Sequence, residues 1–251
     1  MVTRVLKILE MFRTNGPQLA MNEVVGLCGI PKASAFRILE TMRESGYLAK
    51  NEHQRYRLTY KLLDVAMIVQ ERNPWRATAA PYLEEIYRIS RETVNLGVLQ
   101  GDHVVYTDVL VSTQLLRIST SVATHASLHA TAIGKATLAW LPSAMVSQFA
   151  RKPGFRRFTE KTITTQRAMR EELAQIRERG YAIDNEEEGP GHVCVGAPVF
   201  DSRLRLVCGV SISAPLTRMP PDRTARLGEL VKETCQKISR KFGFHEATHM
   251  P

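Results

Sequence analysis

At 251 residues, 44% of them hydrophobic, the chain has enough apolar content to bury the cores of two modest domains, which excludes a largely disordered protein. A formal net charge of +9 favours a polyanionic partner without requiring one. Cys28, Cys194, Cys208 and Cys235 stand far apart with no CxxC pair, which indicates neither a disulfide framework nor a four-cysteine zinc site. No apolar run approaches the ~18 residues that span a bilayer, and "MVTRVLKILEMF" is a charged amphipathic pattern rather than a signal peptide. A soluble protein of the reducing cytoplasm is expected.

In chain order, Val5, Ile8, Leu9 and Phe12 form one helical stripe, "TNGPQ" breaks it, and Met21, Val24, Val25 and Cys28 form a second. Ala20, just before the second helix, is a poor N-cap. After the turn signal "GIP", with Pro31 suited to the first helical position, Ala35, Ile38, Leu39 and Met42 form a third stripe. Lys32, Ala33, Ser34, Phe36, Arg37 and Glu40 are left facing outward. "YLAK" and "RYRLTY" flank the polar turn "NEHQ" as a hairpin. Three helices with a tight turn before the third, then a basic hairpin, describe a winged helix-turn-helix over residues 1–60. The alternative is a small helical bundle that binds nothing, in which Lys32, Arg37, Arg55 and Arg57 are incidental. On the DNA reading, Lys32, Ser34, Phe36 and Arg37 enter the major groove of a double-stranded operator. Arg37 suits guanine and Phe36 a thymine methyl, while Arg55 and Arg57 on the wing lie near phosphate or the minor groove.

Leu62, Val65, Ala66 and Val69 continue as an amphipathic linker helix over 61–74, broken or kinked at Pro74. That stripe is a candidate dimer interface, or else packs on the chain's own first domain. From residue 75 to 251 the pattern is α+β. A helix in "WRATAAPYLEEIYRISRE" precedes strands in "TVNLGVLQ", "HVVYTDVL" and "LLRISTS". Helices in "TAIGKATLAWL" and "TQRAMREELAQIRERG" follow, then strands in "YAID", "CVGAPVF" and "LVCGVSIS" and a long final helix.

"GIPKASAFRILETMRESGYL" with "RYRLTYKLL" resembles the winged-helix half of IclR-type bacterial transcription regulators. "LHATAIGKATLAWL", "RGYAIDNEEEGPGHVCVGAPVFD" and "CGVSISAP" resemble the ligand-binding half, in the same order. The resemblance implies a dimeric or tetrameric repressor or activator whose GAF-like C-terminal domain senses a small metabolite, with no catalysis and no cofactor.

In the second domain Thr131 is a good N-cap, which places Ala132, Ile133 and Gly134 in a first turn whose unpaired N–H groups attract a carboxylate, with small side chains that admit it closely. A capped helix packed on the sheet is the plainer alternative. Gly209, Ser211 and Ser213 share one strand face and Val210 and Ile212 the other, so the hydroxyl face suits a polar cavity. By the resemblance, Asp184, Cys194, Ser211 and Ser213 line the pocket of a small carboxylate effector, and no arginine is placed to clamp it. Rival readings are a redox sensor or enzyme built on Cys194 with His192, and a metal sensor using His125 and His129, although "THASLH" reads as a strand-to-helix loop. Glu186, Glu187 and Glu188 read as a solvated turn and "RKPGFRRF" as a solvated loop.

Overall fold

A computed structural model of the chain describes residues 2–71, 74–151 and 155–244. It divides into two units between Asn73 and Pro74. In the first, helix α1 (Val2–Thr14) is followed by β1 (Gln18–Leu19), α2 (Met21–Cys28), α3 (Lys32–Glu44), β2 (Leu48–Lys50), β3 (Tyr56–Leu58) and α4 (Lys61–Glu71). The strands form an antiparallel sheet in the order β1-β3-β2, the hairpin β2–β3 being the wing. The helical stripes meet as their spacing requires: Ile8 and Phe12, Val24, Ala35, Ile38, Leu39 and Met42 are buried with Leu48 and Tyr56 in one core, Val5 and Leu9 lying at its margin. Each large apolar side chain so buried contributes roughly 1.5–3 kcal/mol. Between α2 and α3 the chain reverses through Gly29, whose φ of 64° is the left-handed region that glycine enters without a Cβ clash, and its N–H closes α2 on Val25 O at 3.0 Å.

Three local expectations shift here. Pro31 is the residue before α3 rather than its first helical one, its carbonyl accepting from Ala35 N at 3.0 Å. Ala20 lacks a capping side chain, and Glu23 compensates by accepting from Ala20 N–H at 2.8 Å. On α4 the described part of the expected stripe is largely unburied: Leu62 is half-buried and Val65 and Ala66 are exposed, as are Leu63, Met67 and Ile68, while at the start of the helix Lys61 Nζ donates to Ser45 O at 2.8 Å. The Val69 side chain lies outside the described residues.

The second unit opens with α5 (Pro74–Ser90), Pro74 standing at its start as a proline suits, then β4 (Thr93–Gln100), β5 (His103–Leu110), β6 (His125–Ser127) and α6 (Ala132–Leu138). It continues with α7 (Ser143–Arg151), α8 (Gln166–Arg179), β7 (Ala182–Asn185), β8 (His192–Phe200), β9 (Leu206–Pro215) and α9 (Pro221–Lys241). All six strands are antiparallel in the order β6-β5-β4-β9-β8-β7. Helices cover both faces, giving the α+β architecture. Leu83 and Ile86 of α5 and Leu227, Val231 and Ile238 of α9 pack on Leu96, Val195, Val210 and Ile212. On the other face Ile133 and Leu138 of α6 and Leu173 and Ile176 of α8 pack with Val104 and Leu128.

The expected strand in "LLRISTS" does not form. That segment runs as irregular chain between β5 and β6, because its carbonyls are taken by side chains rather than a ladder: Thr93 Oγ1 donates to Ile118 O at 2.6 Å and Arg218 Nη1 to Leu116 O at 2.8 Å. Conversely, "HAS" within the expected loop "THASLH" pairs with β5 as β6.

Candidate DNA-reading surface and effector site

On α3, the burial of Ala35, Ile38, Leu39 and Met42 turns Lys32, Phe36 and Arg37 to the surface, with Ser34 half-buried; Phe36 keeps 48% of its area exposed. Lys32, Arg37 and, on β3, Arg57 have no ion-pair partner among the described residues, so their charges are available. Arg55 differs: its Nη2 donates to both Glu23 carboxylate oxygens, at 3.0 and 2.8 Å, and to Gln18 O at 3.0 Å, tying the wing to α2 and β1. Glu40, expected to face outward, is turned instead against the hairpin. Lys50 Nζ (2.8 Å) and Tyr56 OH (2.8 Å) meet its Oε1 and Arg43 Nε (2.6 Å) its Oε2, and these bonds, Lys50's foremost, hold its carboxyl down to about 2. The physical reason is reach: one turn beyond Arg37, a carboxylate meets the cation and phenol of the wing strands, which no helical period reveals. The effect is to fix the angle between helix and wing.

In the second unit, register assembles a polar patch on one face of the sheet. Directly opposed residues in antiparallel strands share a face, so Asp184, Cys194, Ser213 and Thr93 form one row across β7, β8, β9 and β4, and Gly196, Ser211 and Asn95 form the next. Asn95, which the sequence reading passes over, is the hub. Its buried Nδ2 donates to Ser211 Oγ (3.3 Å) and Ser213 Oγ (3.2 Å), and its Oδ1 accepts from Thr120 Oγ1 at 2.6 Å, so the segment after β5 is drawn over the patch. A lone amide inside the apolar run "TVNLGV" was the only available signal. Asp184 is wholly buried, and its Oδ1 accepts from the N–H groups of Glu187 (2.7 Å) and Glu188 (3.4 Å). His192 Nε2 lies 3.4 Å from Asp184 Oδ2, an interaction that raises the imidazole pKa. Burial, then the Asp184 charge, raise the Glu188 carboxyl, and Tyr106 on β5 has its phenol pushed up by burial and by the fields of Cys194, Glu188 and Asp184.

The start of α6 meets this patch at Gly196, where a side-chain Cβ would fall 2.9 Å from Ile133 N and 3.0 Å from Ala132 C. Gly134 takes a different place from the one expected. Its N–H is bonded to the Thr131 hydroxyl at 3.0 Å, and a Cβ there would stand 2.0 Å from Ser127 O, so its smallness serves the chain's own backbone rather than ligand access. Glu187, expected in a solvated turn, is buried against the buried Lys135, which also holds Glu172 Oε1 at 3.2 Å; burial lifts the Glu187 carboxyl to about 7 against the pull of Lys135.

The rival chemistries fare differently. Burial, then the Asp184 charge, push the Cys194 thiol well above its ordinary value, the reverse of an activated nucleophile. His129 spends both ring nitrogens, on Ser127 Oγ (2.9 Å) and Arg156 O (2.8 Å), while the His125 ring stacks on His103 at 4.0 Å, so His125 and His129 do not form a ligand pair. Among the described residues no helix is long and apolar enough to cross a membrane.

Comparison with known proteins agrees with this geometry. The profile described as "IclR helix-turn-helix domain" matches residues 1–52, and that described as "Bacterial transcriptional regulator IclR C-terminal" matches residues 67–240. The HTH-type transcriptional regulator KdgR of Escherichia coli (strain K12) is 32% identical over 98% of this chain and 94% of its own length. The crystal structure of the Thermotoga maritima IclR, 30% identical, superposes with a TM-score of 0.79 over 97% of this chain and 98% of that one. An IclR homolog from Microbacterium hydrocarbonoxydans, complexed with 4-hydroxybenzoate, shares the fold at a TM-score of 0.84 and 21% identity, over 96% of this chain and 98% of that one. A winged helix with a cationic outer face, and a sheet domain with a buried polar patch, therefore stand in a chain that belongs to the IclR family of bacterial transcriptional regulators.

Proposed function

We propose that this regulator reads an operator with α3 and its wing and responds to a small organic acid bound on the polar patch of the second unit. The observation that carries the reading is the row of Asp184, Cys194 and Ser213 with the neighbouring Ser211, joined through Asn95: buried hydroxyl, amide and carboxylate groups on a sheet face whose reverse side is apolar core. A core gains nothing from such a face. The effector's carboxylate takes the first-turn N–H groups of Ala132 and Ile133 and the serine hydroxyls, and a hydroxyl on the effector donates to Asp184. Gly134 acts by holding this turn against Ser127. The relative complexed with 4-hydroxybenzoate, a hydroxylated carboxylate, supports that class. Lys32, Ser34, Phe36 and Arg37 face the bases, Arg57 the backbone, and Arg55 reaches phosphate only by sharing its Glu23 pair.

Two copies are needed to read a full site, so the protein acts in the cytoplasm as a homodimer or tetramer, with the exposed apolar side chains of α4 as part of the contact. The ligand changes DNA affinity through its different affinity for two states of the protein, a coupling typically of about 1–3 kcal/mol. The test is a mobility-shift titration on DNA flanking the chain's own gene, with and without hydroxy and oxo acids, alongside analytical ultracentrifugation. Sequence-specific binding by a dimer or tetramer, altered by at least one acid, is expected. A monomer, or binding indifferent to every acid, would overturn the reading.

A further inference from the structure

In the first unit, the end of α3 and the start of α4 share one cap. Past its last turn α3 closes with Gly46 N–H on Arg43 O and Tyr47 N–H on Met42 O, both at 2.9 Å, and the carbonyls of Ser45 and Gly46 point beyond the helix. Their donors come from the approach to α4. Lys61 Nζ donates to Ser45 O at 2.8 Å and Thr59 Oγ1 to Gly46 O at 2.5 Å. The same Thr59 oxygen accepts from Lys61 N–H at 3.3 Å, as a helix cap does, while Thr59 N–H donates to Tyr47 O at 3.1 Å. The Lys61 ammonium also lies 5.0 Å from the centre of the Tyr47 ring, which packs at the margin of the first core. A cation at the carboxyl end of α3 is favoured by the helix dipole as well. Residues 45–47 are thereby held by residues 59–61, and α4 cannot tilt without breaking these bonds or carrying the end of α3 with it.

We propose that Thr59 and Lys61 are positioning residues that make the direction of α4 set the direction of α3, so that this clamp fixes the distance and angle at which two copies present their recognition helices. This role rests on α3 reading DNA and α4 lying in the dimer contact, the function proposed above. Lys32, Phe36 and Arg37 stand in the first half of α3, whereas Thr59 and Lys61 hold its far end and act through it. The consequence is specific to spacing. One inserted base pair moves a half-site about 3.4 Å along the DNA and turns it by roughly a tenth of a helical turn. A dimer whose reading helices are locked to α4 cannot follow that change and loses one half-site. With the clamp cut, each winged helix swivels at the junction of α3 and α4 and keeps its half-site. Cutting the clamp therefore erodes discrimination between spacings while recognition of a half-site survives.

Full-length wild type selects its operator from a random duplex library. Fluorescence anisotropy then compares that operator with versions carrying one or two extra base pairs between the half-sites, and with a single half-site. The wild type is expected to bind the spaced versions more weakly by about tenfold or more. Thr59→Val with Lys61→Met keeps the bulk of both side chains and removes both donors, and it should reduce that penalty to about threefold or less with half-site binding unchanged. Thr59→Ser with Lys61→Arg keeps hydroxyl and cation and should restore the penalty. If melts show the first double variant unfolded, Lys61→Met alone decides, because Lys61 is exposed. A wild-type spacing penalty in the variant, or equal weakening on operator, spaced operators and half-site, overturns the clamp. A wild type that prefers one sequence but shows no spacing penalty also overturns the clamp alone, whereas a wild type that prefers no sequence overturns the DNA reading on which it rests.

Discussion

Changing Ser211 and Ser213 to Ala, singly and together, probes the polar patch through the amide it surrounds. Asn95 Nδ2 is buried and donates to both hydroxyls, at 3.3 and 3.2 Å, while Oδ1 is held by Thr120. Either single change leaves one acceptor, and bonds this long are worth about 0.5–1 kcal/mol apiece. The double change strands a buried donor at about 1–3 kcal/mol, so its effect exceeds the sum of the singles by up to about 1 kcal/mol. For a unit of this size that is a Tm lower by roughly 2–12 °C. Trp75 and Trp140 both lie in the second unit, so tryptophan fluorescence during denaturant or thermal unfolding reports this unit alone. An organic acid at about 100 times its Kd stabilises the wild type by about 2.7 kcal/mol, and the double variant should lose most of that gain while binding DNA normally in the absence of acid. Additive melts together with an undiminished acid response would refute both the Asn95 hub and its place in the effector site.

On the DNA side, Arg37→Ala should cost about 1–3 kcal/mol at the cognate operator and relax sequence preference, whereas Arg57→Ala should weaken specific and random DNA alike and flatten the salt dependence, both measured by fluorescence anisotropy. Glu40 contributes stability above the ordinary carboxylate pKa that is lost as pH falls from about 4.5 through about 2, because its carboxyl is depressed only in the folded state. Glu40→Gln should therefore flatten that acid limb by about 1 kcal/mol, given its solvent screening, as read by hydrogen exchange of α3. Gly228→Ala on α9 would bring a Cβ to 2.2 Å from the Tyr181 ring and should destabilise the second unit by about 1–3 kcal/mol in a thermal melt.

Much of the architecture is local and was legible in the residues. A period of 3.6 at Ala35, Ile38, Leu39 and Met42 determines which side of α3 is buried, and so which side carries Lys32, Phe36 and Arg37. A period of two at Ser211, Ile212 and Ser213 determines that hydroxyls and core face opposite ways. Tertiary structure alone decided what meets what across the chain. Asn95 joins Ser211 and Ser213 from more than a hundred residues away, Glu40 turns inward because the wing presents Lys50 and Tyr56 to it, and Gly134 is small for the sake of Ser127. Likewise "LLRISTS" has strand-like composition, yet Thr93 and Arg218 capture its carbonyls and hold it irregular over the patch. The reason is the range of the forces. Periodicity records each residue's side of its own element, whereas strand register and long side-chain hydrogen bonds depend on which elements become neighbours, and the folded core settles that.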